Sequence, residues 1–276
     1  MLQPENARFG GHSQQDASEF LLWLLSILDD EQNPNRTNQP IALNEAEEAE
    51  EDRQASLITP AAAGLKWWTR FALHDTNSWV TQNLTMVQAT INTCQTCHKQ
   101  WYNWDRMFSL ELTLQNKARQ TLEGQLLRLE TVEPSIKVDC HFNKAHKYAD
   151  RKTAFTRLPP ILCFSFKRFL FSYDTGISTK NESLVTFPPI LNMDQFMAGG
   201  HSDDPSLPPE MKGPFTYDCY AVCQQSGSLN SGHYWAQVKD WKKNEWYRIN
   251  DQVITKSKWE NTQTAQSYIV FYKRRG

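Results

Sequence analysis

From Ser13 the chain takes on a helical rhythm, with Ala17, Phe20, Leu21, Leu24, Leu25 and Leu28 at the i, i+3, i+4 offsets of one buried face. Ser13 and Asp16 fit the start of that helix. Asp29, Asp30 and Glu31 set negative charge against the negative end of its dipole, which predicts fraying there. Residues 31–64 are rich in Asn, Gln, Glu and Ala, include the acidic run Glu45 to Asp52, and hold almost nothing that anchors a core. A flexible acidic insertion is expected over 31–64. Order is predicted to return at Leu65-Lys66-Trp67-Trp68.

Alternation then replaces the helical period. Ser78 to Thr90, leading into Cys94, and Trp101 to Leu114 beyond it read as strands of a ribbon with a cysteine knuckle at its tip. Leu158-Pro159-Pro160 breaks the chain before the continuous apolar run Ile161 to Phe166, which has the length of a central strand buried on both faces. Gly199 to Gly213, rich in Pro, Asp, Ser and Gly, predicts a surface loop. The last sixty residues divide into four antiparallel strands, Tyr217 to Cys223, His233 to Lys239, Trp246 to Asn250 and Ser267 to Tyr272.

Composition narrows the class. With 276 residues the chain can bury a substantial core, and 10 Trp, 14 Phe and 9 Tyr are too many for a mainly disordered polypeptide. A net charge of -2 without a long basic run gives no nucleic-acid-binding arm and no electrostatic membrane anchor, so the expected partners are proteins. The longest apolar stretch, Phe20 to Leu28, falls well short of the roughly 18 residues that span a bilayer, and Met1 to Ser13 contains no apolar signal core. An intracellular setting, cytoplasmic or nuclear, is expected, with the six cysteines reduced. The spacing Cys94-Gln95-Thr96-Cys97 favours metal over disulfide.

The second and third of the C-terminal strands form a hairpin with Asp240 to Asn244 as its loop if Lys239 faces Glu245. That register sets His233 opposite Asp251, and a shift of one residue sets it opposite Asn250. Either partner would select the tautomer and ring orientation of a general base. An isolated His beside Asn and Asp is more often an ordinary exposed group, and the wider context decides between the two readings.

Ser231-Gly232-His233-Tyr234-Trp235-Ala236 followed by Trp246-Tyr247-Arg248-Ile249-Asn250-Asp251 resembles the histidine box of ubiquitin-specific proteases. Gln14-Gln15-Asp16-Ala17-Ser18-Glu19-Phe20, Leu158-Pro159-Pro160-Ile161-Leu162 with Phe166-Lys167-Arg168-Phe169, Val185-Thr186-Phe187-Pro188 and Tyr268-Ile269-Val270-Phe271-Tyr272 are similar to further family segments, in the family's order. The resemblance implies an α+β, papain-like cysteine protease fold with a mostly antiparallel sheet. It implies a thumb helix over 13–30, fingers over 78–150, and a palm over 155–276 that carries the histidine box, together making a partial protease domain over 1–276. It further implies that ubiquitin or ubiquitinated proteins are the partners, that His233 is the general base, that Asn250 orients it with Asp251 assisting, and that Gln15 and Asp16 hold the ubiquitin tail.

In the family the nucleophile lies in a cysteine box upstream of the Gln-Gln-Asp segment, and none of the fourteen residues before Gln15 is cysteine. The expectation is a chain that does not cleave isopeptide bonds by itself, or alternatively a non-catalytic ubiquitin-binding scaffold. No cofactor is expected for catalysis. Family members carry two Cys-x-x-Cys pairs at the fingertips; here Cys94 and Cys97 form one, and Cys140 is followed three residues later by Asn143. A structural zinc on Cys94, Cys97, Cys140 and a histidine, with His146 better separated than His141, stands against a degenerate site without metal.

Overall fold

A computed structural model describes residues 9, 11, 14–37, 44–115, 119–172, 177–199, 201, 204–228 and 231–276. Ser13 and part of the 199–213 loop lie outside the described residues. The first half of the chain contains helices α1 (Ala17–Glu31), α2 (Glu45–Ala55), α3 (Pro60–His74) and α4 (Trp79–Leu84), then strands β1 (Met86–Cys94), β2 (Gln100–Met107), β3 (Leu110–Thr113) and β4 (Arg119–Thr121). Helix α5 (Leu122–Leu129) precedes β5 (Glu133–Lys137), β6 (Tyr148–Arg157), β7 (Ile161–Lys167), β8 (Phe169–Ser172), β9 (Ile177–Lys180), β10 (Leu184–Thr186) and β11 (Ile190–Asn192). The chain ends in β12 (Thr216–Gly227), β13 (Gly232–Asp240), β14 (Glu245–Asn250), β15 (Val253–Ser257) and β16 (Ser267–Arg274).

The principal sheet runs β15-β14-β13-β12-β16-β7-β3, with β11 paired to β12. Its pairings are antiparallel except β3 with β7, which run parallel. An α+β fold with a mostly antiparallel sheet is therefore what these residues form. Strand β7 sits between β16 and β3, and its alternate side chains enter two different cores. Leu162, Phe164 and Phe166 join the large cluster with Tyr217, Val270 and Tyr272, while Cys163 joins Tyr268 and Ile269 on the opposite face. Burial on both sides explains why its sequence is apolar without alternation.

The second sheet runs β2-β1-β6-β5 and is backed by α3. Ala63 of α3 packs with Ala89, Ile91 and Tyr102, and Trp68 and Phe71 pack on Val87. The stretch 78–150 does not remain in one ribbon, because β3 leaves to pair with β7 and α5 contributes Leu122 and Leu126 to the principal core.

Three expectations need correcting. Within 31–64, where residues 38–43 lie outside the described residues, helix is present: α2 is closed by a reciprocal capping box between Asn44 and Glu47, and Ala55 and Ile58 pack beside Ala63. The small apolar side chains at the end of the acidic run supply the anchor that its composition conceals. Residues 79–84 are helical rather than extended, because Ser78 caps α4 by accepting from Thr81 N–H. Asp29 does not fray α1; it is buried, and its Oδ1 accepts from the hydroxyls of Thr76, Ser78 and Thr81. Those hydrogen bonds tie the end of α1 to α4 and outweigh the unfavourable helix dipole.

Candidate functional site

Two tight turns place the histidine. In the β13–β14 hairpin Asp240 faces Glu245 and Lys239 faces Trp246, one residue away from the register read in the sequence. The loop is four residues long because Asp240 Oδ1 accepts from the N–H groups of Lys242 and Lys243, and Asn244 takes a left-handed conformation at φ 52°. The β14–β15 hairpin pairs Asn250 with Val253 and turns through Asp251 at φ 51°. His233 lies beyond the last β13–β14 pair, and its side chain is exposed.

There the imidazole Nε2 is 2.5 Å from Asn250 Oδ1 and 3.9 Å from an Asp251 carboxylate oxygen. An amide oxygen can only accept, so Nε2 carries a proton, and in the neutral ring Nδ1 then carries the lone pair. The ring stacks on Trp235 at 6.1 Å, and Arg248 covers Trp235 at 5.1 Å. The observed register sets neither Asn250 nor Asp251 directly opposite His233, yet the amide makes the hydrogen bond and the carboxylate lies near the same nitrogen.

Helix α1 is docked beside this strand. Asp16 Oδ1 caps it by accepting from Ser18 N–H at 2.8 Å and Glu19 N–H at 3.1 Å. Its Oδ2 accepts from the hydroxyl of Tyr268 on β16, and Ala17 N–H donates to Tyr234 Oη at 3.4 Å. Burial pushes the Tyr234 hydroxyl up to about 12 and raises Tyr268 further, the Asp16 carboxylate adding to both. Tyr234 follows His233 directly, so the helix that starts just after Gln15 and Asp16 is fixed to the histidine strand. Beside it a half-open cleft of about 440 Å3 is lined by Gln14, Gln15, Asp16, Glu111, Lys167 and Tyr268. Glu111 reaches the cleft because β3 lies parallel to β7, and it holds Lys167 at 2.8 Å. No local pattern in the sequence signals Glu111, whereas Tyr234 lies in the Ser231–Ala236 motif and Tyr268 in the Tyr268–Tyr272 motif.

The six thiols fall into two groups. Cys163, Cys219 and Cys223 are held in the principal sheet, where burial pushes Cys163 and Cys223 up to about 12 and Cys219 higher. Among the described residues none of these thiols is hydrogen-bonded to His233.

Cys94, Cys97 and Cys140 meet at the far tip of the second sheet. The β1–β2 turn supplies the first two, and the turn from Cys140 to His146 supplies the rest, held by Cys140 N–H donating to the His146 carbonyl at 3.0 Å. The donor atoms of Cys94, Cys97, Cys140 and His146 all lie within 4.8 Å of one another. Cys97 Sγ is 3.7 Å from Cys140 Sγ, and Cys94 Sγ is 3.5 Å from His146 Nδ1. Tetrahedral zinc with metal–sulfur bonds near 2.3 Å and metal–nitrogen bonds near 2.05 Å has sulfur–sulfur edges of roughly 3.8 Å and sulfur–nitrogen edges of roughly 3.6 Å. The four residues fit such an ion. Burial works to raise the Cys94 thiol, but the N–H groups of Cys97 and Thr96 bring it down to about 6. His141 is committed elsewhere, stacked on Trp101 at 5.0 Å with Nδ1 against Asp52 of α2.

Among the described residues no helix is long and apolar enough to cross a membrane. A family model described as ubiquitin carboxyl-terminal hydrolase matches residues 1–272. The chain is 26% identical over 285 residues to ubiquitin carboxyl-terminal hydrolase 4 of Eremothecium gossypii, covering 98% of this chain and 32% of that protein. It is 29% identical over 168 residues to ubiquitin carboxyl-terminal hydrolase 48 of Danio rerio, covering 60% of this chain and 15% of that one. Among solved structures it resembles a chain of the SAGA Ubp8/Sgf11/Sus1/Sgf73 DUB module bound to ubiquitin aldehyde, with a TM-score of 0.68, 19% identity, and coverage of 98% of this chain and 51% of that one. A mutant form of that module bound to monoubiquitin gives a TM-score of 0.67 at 20% identity, covering 99% of this chain and 51% of that one. The chain thus spans about a third or less of these curated relatives and about half of these solved chains.

Proposed function

Because the chain belongs to the ubiquitin carboxyl-terminal hydrolase family, we propose that it binds the extended C-terminal tail of ubiquitin and supplies the histidine half of a deubiquitinating cysteine protease site. The hydrogen bond between His233 Nε2 and Asn250 Oδ1 carries this reading. It leaves Nδ1 as the base that draws the proton from a cysteine thiol attacking the isopeptide carbonyl, and the same nitrogen returns that proton to the leaving amine. Asp251, 3.9 Å from the same nitrogen, assists Asn250 in orienting the ring. Gln15 and Asp16 hold the tail along the cleft beside α1.

None of the six cysteines supports a nucleophilic role. Three belong to the fingertip cluster, and the three in the sheet are held protonated by burial. These residues therefore bind ubiquitin without cleaving its adducts unless a thiol is brought to Nδ1 from outside them. The same observation favours the second reading, a ubiquitin-binding scaffold without turnover. At the fingertip, Cys94, Cys97, Cys140 and His146 hold a structural zinc that closes a knuckle with little core of its own.

The test is calorimetry with free ubiquitin beside release of a fluorophore from the ubiquitin C-terminus, using residues 1–276. Binding without release is expected. Absence of binding refutes the family function for this chain, and release abolished by His233→Ala means that one of the six thiols serves as nucleophile.

A further inference from the structure

At the fingertip Asn143 occupies the place where a second Cys-x-x-Cys pair would put its thiol. It is not idle there. Its backbone carbonyl accepts from His146 N–H at 2.9 Å, and its side-chain Oδ1 accepts from Ala145 N–H at 3.0 Å. These bonds, with the bridge between Cys140 and Asn143, fold residues 140–146 into the turn that brings His146 back toward Cys140.

The imidazole is oriented in an informative way. Nδ1 faces the thiols, 3.5 Å from Cys94 Sγ, and Nε2 faces away from them, 3.4 Å from Asn143 Nδ2. A neutral imidazole that ligates a metal through Nδ1 must carry its proton on Nε2. Histidine ligands usually donate that second N–H to a carbonyl or carboxylate, which fixes the ring and strengthens the ligand. Asn143 is the side chain in position to receive it, but its oxygen is turned to Ala145 and its amide nitrogen to the ring. That arrangement presents a donor, not an acceptor, to Nε2. It does not suit the loaded state, because the oxygen is turned to Ala145 N–H and away from the ring.

We propose that Asn143 is a positioning residue for a Cys3His zinc site in which His146 binds through Nδ1. On loading, the Asn143 amide turns so that Oδ1 receives the His146 Nε2–H. This inference rests on the zinc reading given above. It makes a prediction of sign: aspartate at 143 has two acceptor oxygens, one for each N–H, and needs no such turn. Asn143→Asp is expected to bind zinc about tenfold more tightly and Asn143→Ala about tenfold more weakly.

Zinc affinity is measured on the 276-residue chain by competition with a chromophoric chelator. Long-range 1H–15N spectra of the wild-type chain are recorded with and without zinc, so the conclusion does not depend on a variant that fails to fold. Zinc on Nδ1 with a proton on Nε2, together with the ordering Asp above Asn above Ala, is the expected result. Zinc taken up on Nε2, His146 resonances unmoved by zinc, or equal affinities across the three residues would each overturn the role of Asn143 while leaving a zinc site in place. No zinc uptake overturns both.

Discussion

Helix α3 approaches β6 so closely at Gly64 that an added methyl group has nowhere to go. A Cβ built at Gly64 lies 2.5 Å from Thr156 Cβ, 2.8 Å from its Oγ1 and 3.0 Å from its Cγ2. Both Cβ atoms are fixed to backbone, so no rotamer relieves the contact, and carbon atoms prefer roughly 3.5–4.0 Å, which asks for a separation of about 1 Å. Moving α3 outward would also loosen Ala63 from Ala89 and Ile91, and Trp68 from Val87. Overpacking of this kind costs about 1–3 kcal/mol, and the rigid contact places it near the upper end. Alanine in place of glycine inside a helix returns about 1 kcal/mol. The net expectation for Gly64→Ala is a loss of about 2 kcal/mol, or roughly 4–8 °C in Tm for a domain of this size. Thermal unfolding followed by circular dichroism checks the single variant. The sharper test is the background Thr156→Gly, which removes the opposing Cβ; there Gly64→Ala should stabilise by about 1 kcal/mol, reversing sign. A Tm unchanged or raised by Gly64→Ala in the native background would refute the argument.

Other perturbations follow from the same geometry. Asn250→Ala removes the acceptor on His233 Nε2 at a half-buried position beside an exposed ring; long-range 1H–15N spectra should change from one tautomer to a mixture, with stability altered by less than about 1 kcal/mol. Tyr268→Phe deletes the hydroxyl that Asp16 Oδ2 accepts, and calorimetry should show ubiquitin binding weakened by about 1 kcal/mol, roughly fivefold in Kd. If the proposed zinc is bound, a chelator should raise hydrogen exchange in residues 94–99 and 138–147 and leave Asn250 unchanged, because the thiol cluster and His233 sit on different sheets. Burial lowers the proton affinity of His201, although its Nδ1–H donates to the Met211 carbonyl at 2.6 Å. The unfolded chain then binds that proton more readily, so the contribution of His201 is complete above an unfolded pKa of about 6.5 and is lost as pH falls through the lower folded value. Hydrogen exchange over residues 207–215 should accelerate below that pH in the native chain, and Tm should depend less on pH in His201→Met.

Much of the site was legible because its signals are local. The four C-terminal strands, the apolar run of β7, the cap at Asp16 and the pair Cys94 and Cys97 each follow from short-range spacing, whereas Cys140 and His146 entered through the family resemblance. The failures were local readings overruled by distant partners. Asp29 looked like a fraying helix end until the hydroxyls of Thr76, Ser78 and Thr81 met it across α4. The acidic run looked unstructured because the alanines and Ile58 that anchor it have no pattern of their own.

The amino-acid order by itself set out the candidates for chemistry: an imidazole followed by Asn and Asp on the next strand, and a pair of thiols spaced for a metal. Only the tertiary structure decided how they are used. The one-residue register of β13 against β14 is set by the Asp240 turn, and the position of Asn250 and Asp251 by the next turn, so the amide rather than the carboxylate bonds His233. His146 rather than His141 joins the thiols because Asp52, far away in sequence on α2, and Trp101 hold His141 outside the cluster. Periodicity and spacing report a residue's neighbours along the chain, whereas hydrogen-bond direction and ligand choice depend on groups that only folding brings within about 3 Å.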